Sequence, residues 1–70
     1  MAKDLEDLTL EEAWLLAIQR EREAQELYRA LAEKVTEAGA RELFEFLVTQ
    51  EEGHERRLQD EFDRAFRPEW

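Results

Sequence analysis

Hydrophobic residues recur along this 70-residue chain in two long runs with helical spacing. The first holds Leu10, Trp14, Ala17, Ala24, Tyr28, Leu31 and Val35, set apart by threes and fours around a polar residue at position 21. Such a repeat marks a helix that buries one stripe along its length. Leu15, Ile18 and Leu27 widen the stripe beyond a narrow coiled-coil seam. Ahead of it, Thr9-Leu10-Glu11-Glu12 reads as a capping box, the Thr9 hydroxyl taking a free amide while Glu12 reaches back. The second run holds Ala40, Phe44, Leu47, Leu58, Phe62 and Ala65, with polar residues at 51 and 54. It stops at Arg67-Pro68, because proline disfavours helical backbone in the residue before it. Between the runs, Thr36-Glu37-Ala38-Gly39 breaks the pattern.

The pattern therefore predicts an all-α hairpin over residues 9–67, with helices at about 10–36 and 38–66 and a turn near residue 37. Residues 1–8 read as a flexible acidic lead-in and 68–70 as a tail. Pairs at i,i+4 such as Glu37/Arg41, Glu52/Arg56 and Asp60/Arg64 suit exposed helix faces. Two helices cannot cover each other's wide stripes, so an antiparallel hairpin of this kind is expected to pair with a second copy into a four-helix bundle.

Composition narrows the possibilities. The chain is 41% charged but also 43% hydrophobic, with four Phe and two Trp, which is too apolar for a disordered segment. Its formal charge of −9 and lack of a basic patch argue against nucleic acid. With no cysteine, disulfides, thiolate zinc sites and thiol catalysis are excluded. No apolar run approaches the roughly 18 residues of a membrane span, and the opening MAKDLEDL lacks a signal-peptide core, so a soluble, cytoplasmic protein is expected. A chain this short sits below the size at which one core is comfortably stable, leaving a metal or a partner chain to supply the rest.

Three positions on the stripes are polar: Glu21, Glu51 and His54. Taken singly each has a bland explanation. A Glu three residues before a His is common in a Glu-rich chain, and a lone core histidine is usually just hydrogen-bonded. Their positions change this. Glu21 precedes the turn by about as many residues as Glu51 and His54 follow it, which puts all three about 24 Å from the turn at 1.5 Å per residue. Glu51 and His54, at i and i+3, share a face. Two carboxylates and an imidazole thus converge inside an apolar layer, where unpaired carboxylates would repel and take up protons. A bound cation removes that cost.

One chain offers too few ligands to saturate most metals, whereas two chains offer four carboxylates and two imidazoles. That is the ligand set of di-iron and di-manganese bundles, a Glu from each of two helices and Glu-x-x-His from each of the others. Oxygen-rich donors with one imidazole per metal suit iron or manganese better than structural zinc. The expectation is two metals per dimer, shared between chains, with one Glu of each chain bridging; iron leads, with manganese or zinc as alternatives.

The stretches EREAQELY, with Glu21 seven before Tyr28, and QEEGH, with Glu51 three before His54, resemble half of a rubrerythrin-type ferritin-like domain. The resemblance covers most of residues 11–60, including LYRALAEKV and ARELFEFL. It extends to small rubrerythrin-like and encapsulated-ferritin chains, which build a di-iron centre across a dimer of hairpins. It implies iron at Glu21, Glu51 and His54, with Tyr28 either hydrogen-bonding a ligand carboxylate or serving as an ordinary core aromatic. Full rubrerythrins carry a cysteine-ligated domain that this chain lacks, implying an external electron donor. Their extra carboxylate, one turn beyond the first-helix Glu, is replaced here by Ala24. No shell-targeting extension is recognisable after Pro68.

Glu23, Glu26, Glu33, Glu45, Glu52 and Glu55 read as a solvated acidic face, and Trp14, Phe44, Leu47 and Phe62 as core or dimer interface. The leading expectation is a homodimer, or a larger assembly of dimers, with ferroxidase or peroxide-reducing activity and no catalytic side chain beyond the ligands. A metal-stabilised structural or partner-binding bundle is the alternative. A third reading has no metal, with the trio acting only as registry devices.

Overall fold

The computed structural model describes residues 5–66. A 3-10 turn at Leu5–Asp7 leads into helix α1, Leu10–Lys34, which is followed by helix α2, Ala38–Phe66. The start of α1 is fixed by its capping box: the Glu12 amide donates to Thr9 Oγ1 at 3.1 Å, and the Thr9 amide donates to Glu12 Oε1 at 2.9 Å. Two otherwise orphaned donors are satisfied at once. Residues 1–4 and 67–70, and with them part of the acidic lead-in and the tail, lie outside the described residues.

α1 ends at Lys34 because Val35 turns extended, with φ −74° and ψ 144°, while its amide still donates to Leu31 O at 3.0 Å. The chain reverses over residues 35–37, and Gly39 lies inside the first turn of α2 with no unusual backbone angle. Arg41 of α2 reaches back across the turn. Its Nε donates to Ala32 O at 3.3 Å and its Nη2 to Val35 O at 3.0 Å, a cation capping the negative end of α1. That use of Arg41 displaces the expected Glu37/Arg41 ion pair. Among the described residues, Glu52/Arg56 and Asp60/Arg64 do not pair either. Glu52 goes instead to Arg29 and Arg64 to Glu61.

The helices pack side by side, and the smallest principal extent of the molecule is 14 Å, about one helix with its side chains. Burial is accordingly shallow. Ile18, Ala32 and Phe62 are the buried apolar residues, Gln25 is buried with them, and no large side chain among those described is fully enclosed. The expected stripe of Trp14, Ala17, Tyr28 and Leu31 is only half-buried. A wide apolar sector has two edges, and α2 covers one of them, along Ile18, Gln25 and Ala32. Leu10, Leu27, Leu43 and Phe46 remain more than half exposed. The chain is therefore an all-α hairpin with one apolar side open.

Candidate metal site

Aromatic contacts bracket the middle of the hairpin. Toward its open end, the Trp14 indole donates to Leu58 O at 2.9 Å and meets Phe66 edge-on, and Phe66 in turn tilts against Phe62. Toward the turn, Tyr28 stacks on Phe44 with ring centroids 6.3 Å apart. Among the described residues the Tyr28 hydroxyl takes no hydrogen-bond partner within the hairpin, and its ring packs as a core aromatic.

Between these aromatic contacts the helices bring Glu21, Glu51 and His54 together, one ligand-type atom from each lying within 4.8 Å of the others. His54 Nδ1 is 3.5 Å from Glu21 Oε2 and 3.6 Å from Glu51 Oε1. Glu21 comes from α1, while Glu51 and His54 share one face of α2 because they are a helical turn apart. The two carboxylates are largely enclosed and the imidazole is 58% exposed, on the uncovered side. Beside the trio runs an open groove of about 410 Å³, lined by Trp14, Glu21, His54, Arg57, Leu58 and Glu61.

The trio is electrostatically unfinished. Glu21 Oε2 is buried with no hydrogen-bond partner, and a buried acceptor left unmade costs about 1–3 kcal/mol. The facing Glu51 carboxyl, which favours a protonated, hydrogen-bonding Glu21, pushes the Glu21 carboxyl above the usual range. Burial and like-charge repulsion add to the rise, and His54 pulls part of it back. An orphaned carboxylate oxygen, a second carboxylate and an imidazole nitrogen within a few ångströms are the donors a divalent iron-type cation takes. The residues fit such an ion.

The neighbouring side of the helix pair is a complete polar network that composition alone assigns to solvent. Arg22 Nε donates to Glu55 Oε2 at 2.7 Å, Gln25 Nε2 donates to Glu55 Oε1 at 2.6 Å, and Arg29 Nη2 pairs with Glu52 Oε2 at 2.8 Å. Glu52 and Glu55 thus bridge the helices. The Arg22 guanidinium, and then the Gln25 amide, hold the Glu55 carboxyl below its ordinary range. One sequence signal for this network existed: Gln25 falls seven residues after Ile18 and seven before Ala32, on the buried line.

An all-helical hairpin that gathers two carboxylates and an imidazole, Glu from one helix and Glu-x-x-His from the other, has the form of half a carboxylate-bridged helical metal protein. The particular family follows from comparison: the family model for Rubrerythrin matches residues 3–62, and the chain belongs to that family. No curated protein and no solved structure matches the chain. Among the described residues, no helix is long and apolar enough to cross a membrane.

Proposed function

We propose that this chain is a non-haem di-iron protein with ferroxidase or peroxide-reducing activity, its metal site completed across a homodimer interface. The observation that carries the reading is the convergence of Glu21, Glu51 and His54 around an orphaned carboxylate oxygen on the open side of the hairpin. An iron pair held there would supply single-electron chemistry toward oxygen or peroxide, with a separate donor needed in the peroxide reaction. The chain's own residues hold and insulate the site. Glu21 and Glu51 would offset the cation charge, His54 would contribute the nitrogen donor, and Trp14 and Leu58, which line the groove beside the trio, would limit water around it.

Pairing is supported by the same open face. A second hairpin laid on it would cover the half-buried stripe, form a ferritin-like four-helix bundle and double the ligand set to four carboxylates and two imidazoles. Two ions per dimer, one per chain, is the expected loading. Iron fits first, with manganese and zinc next, and a cytoplasmic setting belongs to the same proposal.

Solution mass and metal content of the purified protein, followed by addition of ferrous iron with oxygen or with peroxide, test this. A dimer holding one metal per chain that rapidly develops ferric absorbance is the expected result. A monomer that takes up no transition metal defeats the proposal. The shallow burial favours a second reading, in which metal serves to fold the dimer. Full loading without turnover would select it.

A further inference from the structure

The candidate ligands have no support from side chains around them. Among the described residues, no hydrogen bond from outside the trio orients Glu21, Glu51 or His54, yet metal sites need their donors held within about 0.5 Å. Control of their position has to come through the backbone. Each of the three is followed directly in the chain by a member of the interhelical polar network: Glu21 by Arg22, Glu51 by Glu52 and His54 by Glu55. Consecutive helical residues point about 100° apart, so one turn of backbone presents a ligand to the open side and a network residue to the other helix.

Directional bonds tie the two helices near the open end, where Trp14 donates to Leu58 O, and at the turn, through Arg41; at the level of the trio the ties are those of the network. Packing of Ile18, Ala32 and Phe62 is non-directional and tolerates small rotations and slips of one helix past the other. Both oxygens of Glu55 are taken by donors three residues apart on α1, Arg22 at 2.7 Å and Gln25 at 2.6 Å, which one rigid helix turn keeps from moving independently. Gln25 is 6% exposed, so little water competes with Glu55 for its amide. Arg29 and Glu52 add a second tie at 2.8 Å, one turn nearer the hairpin turn.

We propose that Arg22, Gln25 and Glu55 are positioning residues for the metal site: their bonds set the rotation and register that bring Glu21 level with Glu51 and His54. This rests on the proposed metal-binding reading and extends it to residues that touch no ligand. The bland alternative is that the network only adds stability. The two differ in what happens when Arg22, Gln25 and Glu55 are replaced together by apolar groups of similar size: the Arg22 side chain is 60% exposed and all three partners leave at once, so stability changes little, whereas a positioning role still predicts weaker metal binding.

The test uses the full chain, metal-free and titrated with cobalt(II) as a spectroscopic probe. The triple variant Arg22→Met/Gln25→Met/Glu55→Met removes the part of the network built on Glu55, keeps the Arg29–Glu52 pair and leaves the net charge unchanged. Expected are an unfolding temperature close to the parent's, cobalt affinity lower by about ten- to a hundredfold, and a visible d–d spectrum altered in shape and intensity. Affinity and spectrum matching the parent's would overturn the proposal. Should the triple variant not fold, Gln25→Met alone decides, with a smaller loss of affinity expected and parent-like binding overturning it. A parent chain that binds no cobalt at all refutes the metal reading itself, and the positioning role with it.

Discussion

The two sides of the interhelical interface carry similar residue types and opposite electrostatics. On one side Glu52 and Glu55 each meet an arginine of α1, Gln25 fills the remaining acceptor of Glu55, and the Glu55 carboxyl is held low. On the other, Glu21 and Glu51 face each other with only an exposed imidazole between them, and the Glu21 carboxyl is held high. One set of carboxylates is matched by guanidinium groups within the hairpin; the other is not. Acidic residues on a helical chain cannot be sorted by count. What separates them is whether a guanidinium lies within reach across the interface.

The sharpest way to break this contrast is to remove the unfinished carboxylates. On the proposed function, Glu51→Gln should lower transition-metal affinity by about a hundredfold or more, since it removes a proposed ligand rather than an outer partner. The same change should raise the unfolding temperature of the metal-free protein, because like-charge repulsion with Glu21 disappears. A metal-free variant less stable than the parent would show that the pair is not strained.

On the finished side, the opposite sign is expected. Gln25→Leu leaves a Glu55 oxygen without its donor and should destabilise the protein by about 1–2 kcal/mol in urea unfolding at fixed chain concentration. An unchanged midpoint would mean that the amide contributes nothing.

The contrast also has a pH signature. Glu55 is lower in the fold than in the unfolded chain, so its stabilisation is present above the ordinary carboxylate value of 4.5 and is lost as pH falls through the lowered folded value. Glu21 is higher in the fold, so its contribution is present below 4.5 and lost as pH rises through the raised value. Urea unfolding of metal-free Arg22→Met should therefore lose stability less steeply below pH 4.5 than the parent, and Glu21→Gln should lose less as pH rises above it. Parallel profiles for parent and variants would remove the electrostatic distinction.

Gly53 sits in α2 at the level of the site yet belongs to neither side. A Cβ built there meets nothing within 4 Å. Gly53→Ala should stabilise the helix by roughly 0.5–1 kcal/mol with metal affinity unchanged. A loss instead would mean that a second chain approaches that backbone. Smallest of all is the surface pair Arg20–Glu23, with side chains 65% and 49% exposed. Arg20→Ala should leave stability and metal uptake unaltered within measurement, in contrast to Arg22 two residues away.

Helical periodicity, the Thr9 capping box, the reversal near residue 37 and the level of Glu21 against Glu51 and His54 were legible from residue spacing, because they depend on 3.6 residues per turn and 1.5 Å of rise. The roles of Glu52 and Glu55 were not. Charged residues off an apolar stripe look solvated until the opposing helix shows which guanidinium and which amide face them. Arg41 is similar, since a helical i,i+4 partner and a capped helix end compete for the same side chain and only the turn geometry decides.

Sequence alone thus determined that this chain forms two amphipathic helices and that three polar residues interrupt their apolar stripes at one height. Tertiary structure decided which edge of each stripe is covered, which carboxylates are matched by arginine and which oxygen is left without a partner. The reason is physical. Periodicity is a property of one helix, whereas pairing and burial are properties of the space between two.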